Sequence, residues 1–141
     1  MGEPKPGEMS ARIRVLLVDD DASYRQTLGA RLKADGFAVT VAANGKEAVA
    51  LAQAQEFDLI LMDVVMPSQG GYASYRTLRT LPRTKTIPVI LLTGIAQPGH
   101  WEPVPDGGET RAFFMGKPFE HARLLERIAW LLSNQGAREG P

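Results

Sequence analysis

The sequence contains no cysteine and only two histidines, His100 and His121. Disulfide frameworks, thiol catalysis and thiolate metal sites are excluded, and a histidine-rich metal site has too few ligands. Excess charge of either sign is missing as well. The 16 Lys and Arg balance 16 Asp and Glu, for a formal net charge of +0. A neutral chain exerts no general pull on nucleic acid or an acidic lipid surface, so direct nucleic-acid binding is not expected. Long hydrophobic runs are lacking. Leu59-Ile60-Leu61-Met62 and Val89-Ile90-Leu91-Leu92 are strand-sized, which argues against a membrane span. Met1 to Ser10 is rich in Pro, Gly and Glu and has no apolar stretch of the secretory-signal kind. A cytoplasmic protein with no membrane attachment is the expectation.

What is present is an ordinary globular composition, 44% hydrophobic and 23% charged over 141 residues, enough for one domain with one core. The expected organisation is a flexible segment over 1–11, a domain over 12–133 and a flexible tail over 134–141. Ile13 to Val18 is a short apolar run ending in Asp19-Asp20-Asp21, and its β-branched content predicts a buried strand. Tyr24, Leu28 and Leu32 recur every four residues, which predicts a helix with Asp21 as N-cap and Gly36 at its C-terminal stop. Phe37 to Val41 alternates as a half-buried strand does. Asn44-Gly45 opens a helix over Lys46 to Gln55. Phe57 to Met62 is a third strand, ending at Asp63, and a Pro- and Gly-containing loop then leads to a helix over Tyr72 to Leu81. Ile87 to Leu92 and Ala112 to Met115 are further strands, and a last helix covers Glu120 to Ser133. Near-continuous apolar strands alternating with helices predict an α/β fold with a parallel sheet covered on both faces. One gap breaks the alternation, from Thr93 to Ala112, where Pro98, Pro103, Pro105, Gly99, Gly107 and Gly108 rule out a long helix.

The polar residues carry the functional signal by their positions. Asp19, Asp20, Asp63, Thr93 and Lys117 each stand at the end of a predicted apolar strand. In a doubly wound parallel sheet those ends share one edge, where ligands bind at the reversal of strand order. Three carboxylates brought together repel unless a cation intervenes. With no histidine or cysteine beside them the ligands are hard oxygens, and the cation they suit is Mg²⁺ or a similar hard ion. Lys117 adds a mobile positive charge suited to a phosphate oxygen, and Thr93 a hydroxyl. A carboxylate can itself act as nucleophile and form an aspartyl-phosphate.

Four motifs then resemble the response-regulator receiver domain of two-component signal transduction. They are Val15-Leu16-Leu17-Val18-Asp19-Asp20-Asp21, Leu61-Met62-Asp63-Val64-Val65-Met66-Pro67 with Gly71, Leu91-Leu92-Thr93-Gly94, and Lys117-Pro118-Phe119. The resemblance implies a flavodoxin-like, doubly wound, five-stranded parallel sheet of order 2-1-3-4-5. It implies that Asp63 accepts a phosphoryl group from a histidine kinase or phosphotransfer protein. Asp20 would bind Mg²⁺ directly, Asp19 mainly through water, and the carbonyl of Val65 would add a ligand. Lys117 would pair with the phosphate, Thr93 would move toward it, and Phe114 would stand where the family has its switch aromatic. Lys117-Pro118 would be a cis peptide. The domain would signal by switching a downstream partner or a fused output domain, without turning over a metabolite.

Departures from the family pattern are local. Where the family loop usually reads Met-Pro-x-Met-Asp-Gly, this chain reads Met66-Pro67-Ser68-Gln69-Gly70-Gly71, and Gly94 replaces the usual Ala after the switch threonine. The Pro-rich stretch 95–110 occupies the place of the family's fourth helix, part of its output and dimer face. Trp101 in that stretch is read as a packed cover for the core, with a partner or ligand contact as the other reading. Two competing functions are a Mg²⁺-dependent phosphohydrolase of the haloacid dehalogenase type, which Asp19-x-Asp21 faintly imitates, and a degenerate receiver used only for protein contacts.

Overall fold

In the computed structural model, the structure describes residues 12–65, 70–105 and 111–133. The expected flexible segment over 1–11 and tail over 134–141, the expected loop residues Met66 to Gln69, and Gly107 and Gly108 lie outside the described residues.

Among the described residues ten elements follow one another: β1 (Arg14–Val18), α1 (Ala22–Ala34), β2 (Ala38–Ala42), α2 (Gly45–Ala54), β3 (Leu59–Asp63), α3 (Gly71–Thr80), β4 (Val89–Thr93), β5 (Trp101–Pro103), β6 (Ala112–Gly116) and α4 (His121–Ser133). The sheet order is β2-β1-β3-β4-β6-β5. Without β5, this is the expected 2-1-3-4-5 parallel arrangement. The sheet has six strands where five were expected, because β5 adds an antiparallel edge to β6 in the Pro-rich gap. No helix forms in that gap among the described residues.

The strands are apolar on both faces because both are covered. Val15 and Leu17 of β1, Leu59 and Leu61 of β3, and Ile90 and Leu92 of β4 pack against α1 and α4. Their neighbours Leu16, Val18, Ile60, Met62, Val89 and Leu91 pack against α2 and α3. These side chains are fully buried, each worth about 1.5–3 kcal/mol of apolar transfer. The period of two divides every strand between two cores, and slipping one residue would exchange them.

Local chemistry sets the helix ends. Asp21 caps α1 by accepting from the Tyr24 N–H at 3.2 Å. Gly36, at φ 103°, closes α1 with its N–H on Lys33 O at 3.0 Å and the Phe37 N–H on Leu32 O at 3.1 Å, the paired bonds of a Schellman motif. Asn44, expected to open this helix, is the N-cap of α2. It accepts from Glu47 N–H, and the Glu47 carboxylate accepts from the N–H of Ala43, the residue before the cap, both at 2.8 Å, a reciprocal pair close to a capping box.

Trp101 packs, as its first reading holds. Its ring stacks on Phe113 at 4.5 Å and 6°, Arg127 covers it at 4.8 Å, and Trp130 meets Phe113 edge-on at 5.5 Å. Phe113 and Phe114 are both half-buried and face opposite cores, Phe114 lying against Tyr72 at 6.4 Å.

Candidate phosphoacceptor site

The carboxyl ends of β1, β3, β4 and β6 meet at one rim. Carboxylate oxygens of Asp19, Asp20 and Asp63 lie within 4.8 Å of one another. Lys117, just past β6, holds its Nζ 3.7 Å from Asp63 Oδ1 and 4.0 Å from Asp19 Oδ2. Sheet order explains the meeting: β1 and β3 are hydrogen-bonded neighbours, Val18 pairs with Met62, and Asp19 and Asp63 therefore extend from adjacent positions.

Asp19 is almost wholly buried and organises the rim. Its Oδ1 accepts from the Asp21 N–H at 2.9 Å, and its carbonyl accepts from Arg25 at 2.8 Å. Its Oδ2 is buried without a hydrogen-bond partner. Burial pushes the Asp19 carboxyl above its ordinary range, and the Asp63 and Asp20 charges push the same way, against the Asp21 amide and Lys117. Asp63 is also raised, by burial first, while Lys117 and an N–H donated by Val65 pull it down. An orphaned, buried carboxylate oxygen beside two more carboxylates, with no nitrogen or sulfur donor in the group, fits a hard divalent cation of the Mg²⁺ kind.

Thr93 is the last residue of β4, and Asp63 pairs with its neighbour Leu92. Its hydroxyl accepts from the Ile95 N–H at 3.0 Å. The peptide after Lys117 is cis, as expected. Gly71 opens α3, where a Cβ would stand 1.9 Å from the Asp63 carbonyl oxygen, so only glycine fits. Val65 is exposed at the mouth.

The family described as "Response regulator receiver domain" matches residues 15–129. The chain belongs to this family. Among relatives of the receiver, the gliding motility regulatory protein of Myxococcus xanthus is 46% identical over 87 residues, 62% of this chain and 11% of that protein. The cell cycle response regulator CtrA of Brucella ovis is 36% identical over 116 residues, 82% of this chain and 48% of that protein. The receiver thus spans less than half the length of these curated relatives. Chemotaxis protein CheY4 of Vibrio cholerae has 31% identity and a TM-score of 0.69, with 84% of this chain and 97% of that one covered. The receiver domain of sensor histidine kinase PA1611 from Pseudomonas aeruginosa has 30% identity and a TM-score of 0.71, covering 89% of this chain and 99% of that one. Its structure has a magnesium ion coordinated in the active site cleft.

Asp21 is the cap of α1 that the sequence predicts; it is exposed and outside the acidic group of Asp19, Asp20 and Asp63, so the Asp19-x-Asp21 dyad of a phosphohydrolase does not assemble. Tyr24 does more than extend the helix face that its spacing with Leu28 and Leu32 predicts: its ring lies under the Lys117 ammonium at 4.6 Å. Its place three residues after the cap, in the first turn above the rim, was the available signal.

Proposed function

We propose that Asp63 accepts a phosphoryl group from the phosphohistidine of a histidine kinase or phosphotransfer protein, and that the change switches binding of a downstream partner or a fused output domain. The observation that carries this is the meeting of Asp19, Asp20 and Asp63 with Lys117 at one sheet edge. Asp19, Asp20, Asp63 and the Val65 carbonyl would hold Mg²⁺. When bound, Mg²⁺ supplies charge neutralisation for the transferring phosphoryl group.

The residues divide the remaining work. An Asp63 carboxylate oxygen attacks phosphorus; the O–P bond forms, the donor N–P bond breaks, and the imidazole nitrogen keeps the electron pair. Lys117 approaches the new phosphoryl oxygens as a point charge. Thr93 exchanges its bond from Ile95 for one toward the phosphate, and Phe114 follows as the switch aromatic. Each chain carries one phosphoryl group and turns over no metabolite, so the domain, over 12–133, is a switch rather than an enzyme. It would act in the cytoplasm without binding nucleic acid or membrane. Among the described residues no helix is long and apolar enough to cross a membrane.

The test is intact mass after incubation with acetyl phosphate and Mg²⁺. A phosphate-sized gain that disappears in Asp63→Asn is expected. No gain, together with no Mg²⁺ binding by titration, would leave a receiver used for protein contacts alone.

A further inference from the structure

Lys117 has a partner that the phosphoryl chemistry does not require. Its ammonium stands 3.7 Å and 4.0 Å from Asp63 and Asp19, both longer than a close charge-assisted hydrogen bond. Its contact on the α1 side is the face of Tyr24, with Nζ 4.6 Å from the ring centroid. A lysine stem is long and freely rotating, so a charge held on one ring face samples fewer positions than one left among carboxylates and water.

The backbone that carries the ring is itself held. The Tyr24 N–H donates to the Asp21 cap, and the Asp21 N–H donates to Asp19. The first turn of α1 is thereby tied to the acidic cleft that Lys117 crosses. Tyr24 is partly buried, and burial together with the Asp19 and Asp63 charges pushes its phenol up to about 12. It stays neutral, so what it presents to Lys117 is the ring face.

We propose that Tyr24 is a positioning residue for phosphoryl transfer, its ring face holding the Lys117 ammonium across the cleft within reach of Asp63. This rests on the phosphoacceptor reading of Asp63 and adds to it the group that aims the lysine. The hydroxyl is not needed, so phenylalanine should serve and an aliphatic residue of similar size should not.

The full-length chain tests it in two ways. In the first, phosphorylation by acetyl phosphate is timed at saturating Mg²⁺. Tyr24→Leu should slow it about three- to tenfold. Tyr24→Phe should stay within about twofold of the parent, because the face remains. Mg²⁺ affinity should hold in both, and Tyr24→Leu should add nothing in a Lys117→Met background. In the second, the Lys117 ε-methylene protons should be shifted upfield by the ring in the parent and in Tyr24→Phe, and not in Tyr24→Leu. A parent chain that takes no phosphate defeats the phosphoacceptor reading and this proposal with it. A parent that is phosphorylated, while Tyr24→Leu matches it, or still slows Lys117→Met, or leaves the methylene shifts unchanged, defeats the positioning role alone.

Discussion

The Lys117 N–H donates to the Thr93 carbonyl at 2.7 Å, so the lysine and the threonine at the acidic rim hang from one backbone bond between neighbouring strands. The bond continues the β4–β6 ladder, in which Thr93 pairs with Gly116. A displacement of either strand end therefore moves both side chains. The first turn after Thr93 is fastened to the same place, since Gly99 N–H donates to Gly116 O and Gly116 N–H to His100 O, both at 2.9 Å.

Glycine substitutions should separate along this rim. In Gly116→Ala the new Cβ would stand 1.9 Å from the Gln97 carbonyl oxygen, and in Gly71→Ala 1.9 Å from that of Asp63. Backbone cannot swing aside as a side chain does, so each should cost about 2 kcal/mol or more. Gly94 has nothing within 4 Å of a built Cβ and no positive φ. Gly94→Ala should be neutral or stabilising by about 0.5 kcal/mol. Urea denaturation of the three variants measures the contrast, and equal losses would contradict it.

Removing charge from the cleft should stabilise the metal-free chain. Asp19 is raised by burial and by its carboxylate neighbours, so its ionised form opposes folding at neutral pH. Asp19→Asn keeps an oxygen for the Asp21 N–H and drops the charge. In chelator its melting temperature should rise by about 2–4 °C. With Mg²⁺ the order should reverse, because the cation stabilises only the chain that binds it. Differential scanning fluorimetry with and without Mg²⁺ checks both arms.

The far end of the sheet gives a pH dependence of the opposite kind. Arg14 donates from Nε and Nη2 to Asp58, both at 3.1 Å, and its N–H donates at 2.8 Å. Burial alone would raise Asp58, but the hydrogen bonds and charge of Arg14 outweigh it and hold the carboxyl below its ordinary value. A depressed acid contributes stability that is full above its unfolded value and is lost as pH falls through its folded one. The pair is partly exposed. Asp58→Asn should therefore cost only about 0.5–1 kcal/mol at pH 7. The gap from the parent should narrow below the usual carboxylate range, in stability curves taken from pH 7 downward.

Trp101→Ala should loosen the edge strand. The variant loses the stack on Phe113 and the cover of Arg127. With the ring only half-buried, the loss should be about 2 kcal/mol rather than the larger cost of a fully buried tryptophan. Hydrogen exchange should quicken at Gly116 and Val104, whose N–H groups bond His100 and Ala112 across the β5–β6 pair. Unchanged exchange there would show that the backbone ladder holds β5 without the ring.

The sequence by itself determined the five parallel strands and the residues at their ends. Fully buried strands must be apolar throughout, and Asp19, Asp63, Thr93 and Lys117 mark where each apolar run stops. It also determined the cap at Asp21 and the stop at Gly36, because those bonds span only a few residues. Strand and helix limits shifted by one or two positions, as at β3, which runs Leu59–Asp63 rather than from Phe57. The tertiary structure alone decided that the Pro-rich gap adds a sixth strand, that Trp101 lies on Phe113, that Asp19 Oδ2 is buried without a partner, and that the Tyr24 ring meets Lys117. Each of these depends on how separate elements of the chain come together. Such meetings follow from which strands are neighbours and how the helices seat on them, and no local period of two or 3.6 encodes that.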